Sequence, residues 1–89
     1  MARGRADWMK PVDDEILENL RDERNLTPMA LQDLDVAVAN YAGDRCRELA
    51  KYGLVENWSR GLYRLTNHGQ AYLDEELDAA TLEPVDTEE

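Results

Sequence analysis

Four polar side chains recur at helical spacing near the middle of the chain: Asn40, Asp44, Arg47 and Lys51. Side chains of these types can form two hydrogen bonds to one partner or bind an anion. At 100° per residue, intervals of four, three and four place them on one face of a helix. An amide can pair with adenine and a guanidinium with guanine, while a lysine late in the helix can meet phosphate. The pattern therefore indicates recognition of nucleic acid.

Groups for catalysis or metal binding are missing from the sequence. One cysteine and one histidine exclude an internal disulfide and give no metal-ligand spacing. His68 is expected at the surface or as a capping residue. Cys46 shares a helical face with Ala42 and Leu49, so we expect a buried, inert thiol rather than a redox switch. With no nucleophile or phosphate-binding loop, we predict no enzyme activity, no cofactor and no metal.

A helix over about residues 39–52 is predicted to carry the polar face. Tyr41 flanks that face on one side and Arg45 on the other. Gly53 is expected to end the helix, because glycine enters the left-handed conformation cheaply. Gly43 inside the helix lowers helix stability by about 1 kcal/mol relative to alanine. The missing side chain permits either close packing or close approach to DNA.

A hairpin is predicted directly after this helix, with strands over residues 54–58 and 62–66. Gly61 lies at the tip of the connection, as is typical of tight turns. The hairpin places Arg60 at the turn and Arg64 on the second strand.

Local capping signals predict the other elements. Asp13 is expected at or near the N-cap of a first helix, and Thr27 with Pro28 begins a second. Thr66 is expected to cap a last helix.

The charge is unevenly distributed. The chain has a net charge of −10, with −6 over residues 12–39 and −8 over 66–89, but +2 over both 1–11 and 40–65. Many acids and only two lysines indicate adaptation to molar salt, where the Debye length is about 3 Å. Counterion release contributes little there, so DNA affinity must depend on close contacts. The alternative is an acidic protein that does not bind DNA.

Three motifs carry a family resemblance: W-M-x-P-x-D-x-x-I-L-E over 8–18, R-x-R-x-L-x-x-x-G-L-V-E over 45–56, and R-G-x-Y-x-L-T-x-x-G over 60–69. They resemble the winged-helix transcriptional regulators of Bacteria and Archaea, and in particular a small haloarchaeal group similar to the repressor of a halophilic phage. The resemblance implies an α+β winged helix-turn-helix fold with a three-helix core, a two-stranded β-wing and a C-terminal helix, and it allows a short strand near Leu26.

The same resemblance implies sequence-specific binding of double-stranded DNA, as a repressor, with the third helix in the major groove. Arg60 would border the minor groove and Arg64 would meet backbone phosphate. The predicted DNA-binding residues are Asn40, Tyr41, Asp44, Arg45, Arg47, Lys51, Arg60 and Arg64. The alternative is a winged-helix protein-interaction module without DNA binding.

The domain is predicted over 8–77, with a flexible arm over 1–7 and a disordered acidic tail over 78–89. No apolar run approaches the roughly 20 residues of a membrane span, so we expect a cytoplasmic protein. Regulators of this kind are commonly homodimers. The candidate interface residues are Trp8, Met9, Tyr72, Leu73 and Leu77. The alternative for Trp8, Met9, Tyr72 and Leu73 is a place on the core of the single domain.

Overall fold

The computed structural model describes residues 4–59 and 61–84. Four helices and three strands follow in the order α1 (Pro11–Glu23), β1 (Asn25–Leu26), α2 (Pro28–Asp33), α3 (Ala39–Lys51), β2 (Val55–Ser59), β3 (Leu62–Leu65) and α4 (Asn67–Leu73), before a 3₁₀ turn at Ala79–Thr81. The sheet is antiparallel, in the order β1-β3-β2. This is the predicted α+β winged-helix architecture, and the short strand near Leu26 is present.

Local caps set several boundaries as predicted. The Thr27 hydroxyl accepts from the Ala30 amide at 3.1 Å, and Thr66 accepts from Gly69 at the same distance. Gly53 follows α3 with φ of +79°, a conformation that side chains disfavour. The helix-helix-helix-hairpin-helix order is therefore encoded largely by short-range signals.

The start of α1 has an acid near the N-cap, as predicted. Lys10 is the N-cap, and Asp13 lies three residues into the helix. Its carboxylate accepts a 3.0 Å bond from the Lys10 amide, so it still satisfies a free donor of the first turn. Unlike an ordinary capping acid, Asp13 is completely buried.

Two glycines set how closely elements pack. A Cβ on Gly69 would lie 2.2 Å from the Leu54 carbonyl oxygen, so only glycine fits where α4 meets the segment after α3. A Cβ on Gly43 would lie 3.6 Å from Pro28 Cγ, an ordinary van der Waals distance. Gly43 therefore lies in the α2–α3 contact, which favours packing over DNA approach, and alanine would fit there.

Both ends of the described chain pack on the domain, which corrects part of the predicted arm and tail. Ala6 and Ala79 are buried. The Ala79 amide donates to the Gly4 carbonyl at 2.7 Å, and Gly4 forms a parallel bridge with Asp78. The 3₁₀ turn thus closes over the N-terminal segment. The rest of the predicted arm, 1–3, and the end of the tail, 85–89, lie outside the described residues.

The predicted dimer-interface residues belong mostly to the core, which is a second correction. Met9, Tyr72 and Leu73 are buried within the single chain. The Trp8 ring stacks on Tyr52 with 3.9 Å between centroids. Leu77 is partly buried against the same core. These side chains are used to hold one domain together, so a dimer would need another surface.

Candidate nucleic-acid interface

One face of α3 is exposed over its whole length, as the helical spacing predicts. Asn40, Asp44, Arg47 and Lys51 all face solvent. The opposite face packs into the core, and Cys46 on it has no exposed surface. Burial raises the pKa of the Cys46 thiol to about 12, so the thiol stays protonated and unreactive. The helix therefore presents polar groups on a side that its own domain leaves open.

The cations of this face are paired with acids one turn away. Arg47 binds Asp44, and Lys51 lies 3.7 Å from Glu48. The Arg47 and Asp44 side chains are 65% and 67% exposed. Exposed pairs of this kind contribute about 0–1 kcal/mol and weaken further in salt. An incoming phosphate or base can therefore replace either carboxylate at little cost.

A cleft of about 270 Å³ separates the C-terminal half of α3 from the hairpin. Arg47 and Lys51 line one side, with Asn57 and Tyr63 on the other. Burial raises the pKa of the Tyr63 phenol, so this group remains a hydrogen-bond donor at neutral pH. Asn57 and Tyr63 were not among the predicted site residues. Asn57 pairs directly with Tyr63 across the two predicted strands, and the register of that pairing is not readable from spacing within either strand.

Arg64 lies on the other face of the sheet from this cleft. Successive strand residues point to opposite faces, so Tyr63 and Arg64 cannot share one. Arg64 binds Glu56 and lies over the Trp58 ring, 5.0 Å from its centroid. The Trp58 indole in turn donates to Asn25 at 3.1 Å. Arg64 therefore lies apart from the α3 cations and does not line the cleft. Arg60, the other predicted hairpin arginine, lies outside the described residues.

Arg45 turns away from solvent, which corrects its expected place on the flank of the polar face. Its Nε and Nη2 atoms donate to the two oxygens of buried Asp13 at 2.9 and 2.8 Å. Nη2 also donates to the Trp8 carbonyl at 3.1 Å. These bonds raise the pKa of Arg45 above its ordinary value, chiefly through Asp13. The side chain joins α3 to α1 and is used for structure.

The N-terminal end of α3 holds the two remaining predicted residues, Asn40 and Tyr41, both exposed. Gln32 of α2 caps this end, because its side-chain oxygen accepts a 2.8 Å bond from the Ala39 amide. No hydrogen bond or ion pair within residues 4–59 and 61–84 engages the Asn40 side chain. Its amide is free to bind a ligand.

Two further kinds of feature concern metal binding and membrane insertion, for residues 4–59 and 61–84. Within them, no three His, Cys, Asp or Glu side chains lie close enough together to hold a metal ion. No helix among these residues has the length and apolar character to cross a membrane. The groups brought together by the fold are hydrogen-bond donors and cations on α3 and in the cleft.

Comparisons with known proteins agree with this fold. The family model for the winged helix-turn-helix phage repressor matches residues 1–85. The crystal structure of the PhiH1 repressor-like protein from Haloarcula marismortui is similar to this chain, with 32% identity and a TM-score of 0.88. The match covers 96% of this chain and 99% of that one. No protein among those with curated descriptions matches.

Proposed function

Because this chain belongs to the winged helix-turn-helix phage repressor family, we propose that it binds specific sites in double-stranded DNA and represses transcription from them. Helix α3 enters the major groove, and the cleft beside it receives the neighbouring phosphates. The observation that carries the proposal is the single exposed face of α3, which continues into the cleft through Arg47 and Lys51.

Each group on this surface has a role that fits its position. Asn40 and Arg47 read base edges, since an amide suits adenine and a guanidinium suits guanine. Lys51, Asn57 and Tyr63 hold the phosphate strand that passes through the cleft. Asp44, with Tyr41 beside it, excludes some sequences and can accept from cytosine. Arg60 at the hairpin turn remains a proposed contact with the adjacent groove. Arg45 and Arg64 are left out, because they face elsewhere.

The α3 surface has features that fit DNA binding at high salt. The protein has a net charge of −10, which opposes DNA at long range. At molar salt that repulsion is screened within about 3 Å, whereas direct hydrogen bonds persist. The exposed ion pairs of α3 are weak under the same conditions, so their cations exchange readily for DNA. We therefore propose binding that tolerates molar KCl.

Repression follows from occupancy: a bound domain prevents other proteins from using the same stretch of DNA. A homodimer on a palindromic site is part of the proposal, since two-fold symmetry places two α3 helices one helical turn apart. Its interface lies outside Met9, Tyr72 and Leu73, which are buried in one chain. Sedimentation in molar KCl, with and without a bound duplex, tests this part. A complex that holds one chain per duplex would contradict it.

The central test is fluorescence anisotropy with labelled duplexes, selected from genomic fragments in molar KCl. We expect Arg47→Ala to lose about 1–3 kcal/mol of binding free energy and to relax specificity at one base pair. Arg64→Ala is the matched control: a second exposed arginine that is paired with a glutamate and lies on the opposite sheet face.

The control should keep most of the affinity. Equal losses from the two arginine variants would contradict the assignment of α3 and the cleft as the interface. If the folded protein selects no duplex at all, DNA binding itself is refuted. A protein-interaction module would then be the better description, and partner capture would follow.

A further inference from the structure

Large apolar side chains surround the N-terminal end of α3 and remain exposed. Val38, the N-cap residue, is 65% exposed, Met29 is 57% exposed and Tyr41 is 40% exposed. Most large aliphatic groups elsewhere in the described residues are buried, with Ile16 and Leu17 at no exposure, although Leu34 at the end of α2 is 45% exposed. Scattered exposed apolar residues need no explanation, whereas a group of them at one place marks an interaction site.

Two contacts place these apolar residues at the same end of α3 as Asn40. The Gln32 oxygen accepts from the Ala39 amide at 2.8 Å, while its amide nitrogen lies 3.9 Å from the Met29 sulfur. Gln32 thus contacts both Met29 and the first residue of α3, which directly follows Val38. Tyr41 directly follows Asn40 on the helix. Asn40 and the three apolar residues therefore belong to one end of α3.

We propose that Val38, Met29 and Tyr41 read the 5-methyl groups of thymine in the major groove, beside an adenine that Asn40 reads. The inference rests on the proposed DNA binding and names the feature of DNA that the site selects. Thymine is the only base with a methyl group in that groove, and apolar side chains are suited to it. Asparagine suits adenine, the partner of thymine, so the neighbouring groups favour the same base pair.

The charges on α3 support this occupant. Arg47 and Lys51 are paired with acids on their own helix, so they add little long-range attraction. Contact between methyl groups and apolar side chains is not screened by salt, because it depends on removing apolar surface from water. In molar KCl such contacts keep their strength while phosphate contacts weaken. A second copy of the chain is the other possible occupant, and the experiment distinguishes it.

The test uses a selected duplex and the same duplex with deoxyuridine in place of thymidine at the site, which removes only the methyl groups. We expect anisotropy in molar KCl to show roughly fourfold weaker binding for each contacted methyl, as follows from burying one methyl-sized group. Val38→Ala should reduce the ratio between the two duplexes. Trp58→Ala, a change of similarly exposed apolar surface on the sheet face away from the cleft, should leave that ratio unchanged.

Each outcome has a distinct meaning. Equal affinity of wild type for the two duplexes would overturn thymine reading while leaving DNA binding intact. A thymine preference that Val38→Ala and Met29→Ala both keep in full would overturn the assignment to these residues. Failure to bind any duplex would instead refute the proposed function. If Val38→Ala changes the sedimentation mass and not the thymine preference, the apolar surface is a contact between copies.

Discussion

Removal of Arg45 is predicted to destabilise the domain far more than removal of any exposed arginine. Asp13 is completely buried, and its oxygens accept from Arg45 at 2.8 and 2.9 Å. Among the described residues, Arg45→Ala leaves that buried carboxylate with one remaining hydrogen bond, from the Lys10 amide. Loss of one member of a buried pair costs about 3–5 kcal/mol, because the other charge remains uncompensated.

That loss is large for a chain of this size. A stability of about 0.05–0.15 kcal/mol per residue gives roughly 4–13 kcal/mol for 89 residues. At about 4–8 °C per kcal/mol for a small domain, Arg45→Ala should lower Tm by at least about 12 °C. Arg47→Ala is the control: its side chain is 65% exposed and its ion pair is worth about 1 kcal/mol or less.

Denaturant unfolding in molar KCl, followed by circular dichroism, measures both variants. A double-mutant cycle then isolates the pair: after Asp13→Asn, the further change Arg45→Ala should cost much less than it does alone. Similar unfolding free energies for Arg45→Ala and Arg47→Ala would refute the reasoning. So would full additivity in the cycle, since it would mean that the two side chains contribute independently.

Three further predictions concern stability and reactivity. Gly43→Ala should raise the unfolding free energy by about 1 kcal/mol in thermal melts, whereas Gly69→Ala should lower Tm sharply, because its Cβ would meet the Leu54 carbonyl oxygen; the opposite order would contradict the packing described. Burial in the folded state raises the pKa of Cys46 from 9.0 to about 12 and that of Tyr72 from 10.0 to about 12. The free energy that these neutral side chains contribute to folding is therefore complete below pH 9 and is lost as pH rises toward 12. An unfolding free energy that stays constant across that range in denaturant titrations would contradict this prediction. The Cys46 thiol should react with a disulfide reagent only after unfolding, and rapid labelling of the native protein at pH 8 would disprove its burial.

The sequence was sufficient for the parts of the fold that neighbouring residues determine. The Thr27 and Thr66 hydroxyls accept hydrogen bonds from amides three residues ahead, so the start of α2 and the start of α4 are each determined by neighbouring residues. Gly53 ends α3 through its own backbone conformation, with a φ of +79° that glycine adopts easily. The polar face of α3 was predictable because helical periodicity converts spacing directly into direction.

Long-range pairing was not predictable in the same way. Asp13 looked like a capping acid, although its spacing to Ile16, Leu17 and Leu20 already placed it on the buried stripe of α1. Its partner lies 32 residues away, and spacing within one helix cannot reveal a contact with another. Arg45 was therefore expected on the surface.

The ends of the chain show how composition can mislead. The segment after Leu77 is acidic and poor in large apolar groups, which is typical of disorder. Ala79 is nevertheless buried, because the Gly4 carbonyl accepts from its amide and a small side chain fits beneath. Packing of this kind depends on a space left by residues distant in sequence, so the composition of the segment cannot predict it.

Local pairing of charges explains how an acidic protein can present a selective DNA surface. If Arg47 and Lys51 were unpaired, they would attract any duplex through phosphate alone. The adjacent acids Asp44 and Glu48 weaken that general attraction, since each lies one turn from a cation. Under our proposal, a duplex must then offer base edges and methyl groups that fit, because phosphate contacts alone give little affinity in molar salt. The acids on α3 would in this way weaken phosphate-driven binding to every duplex, so that base contacts decide which site is occupied.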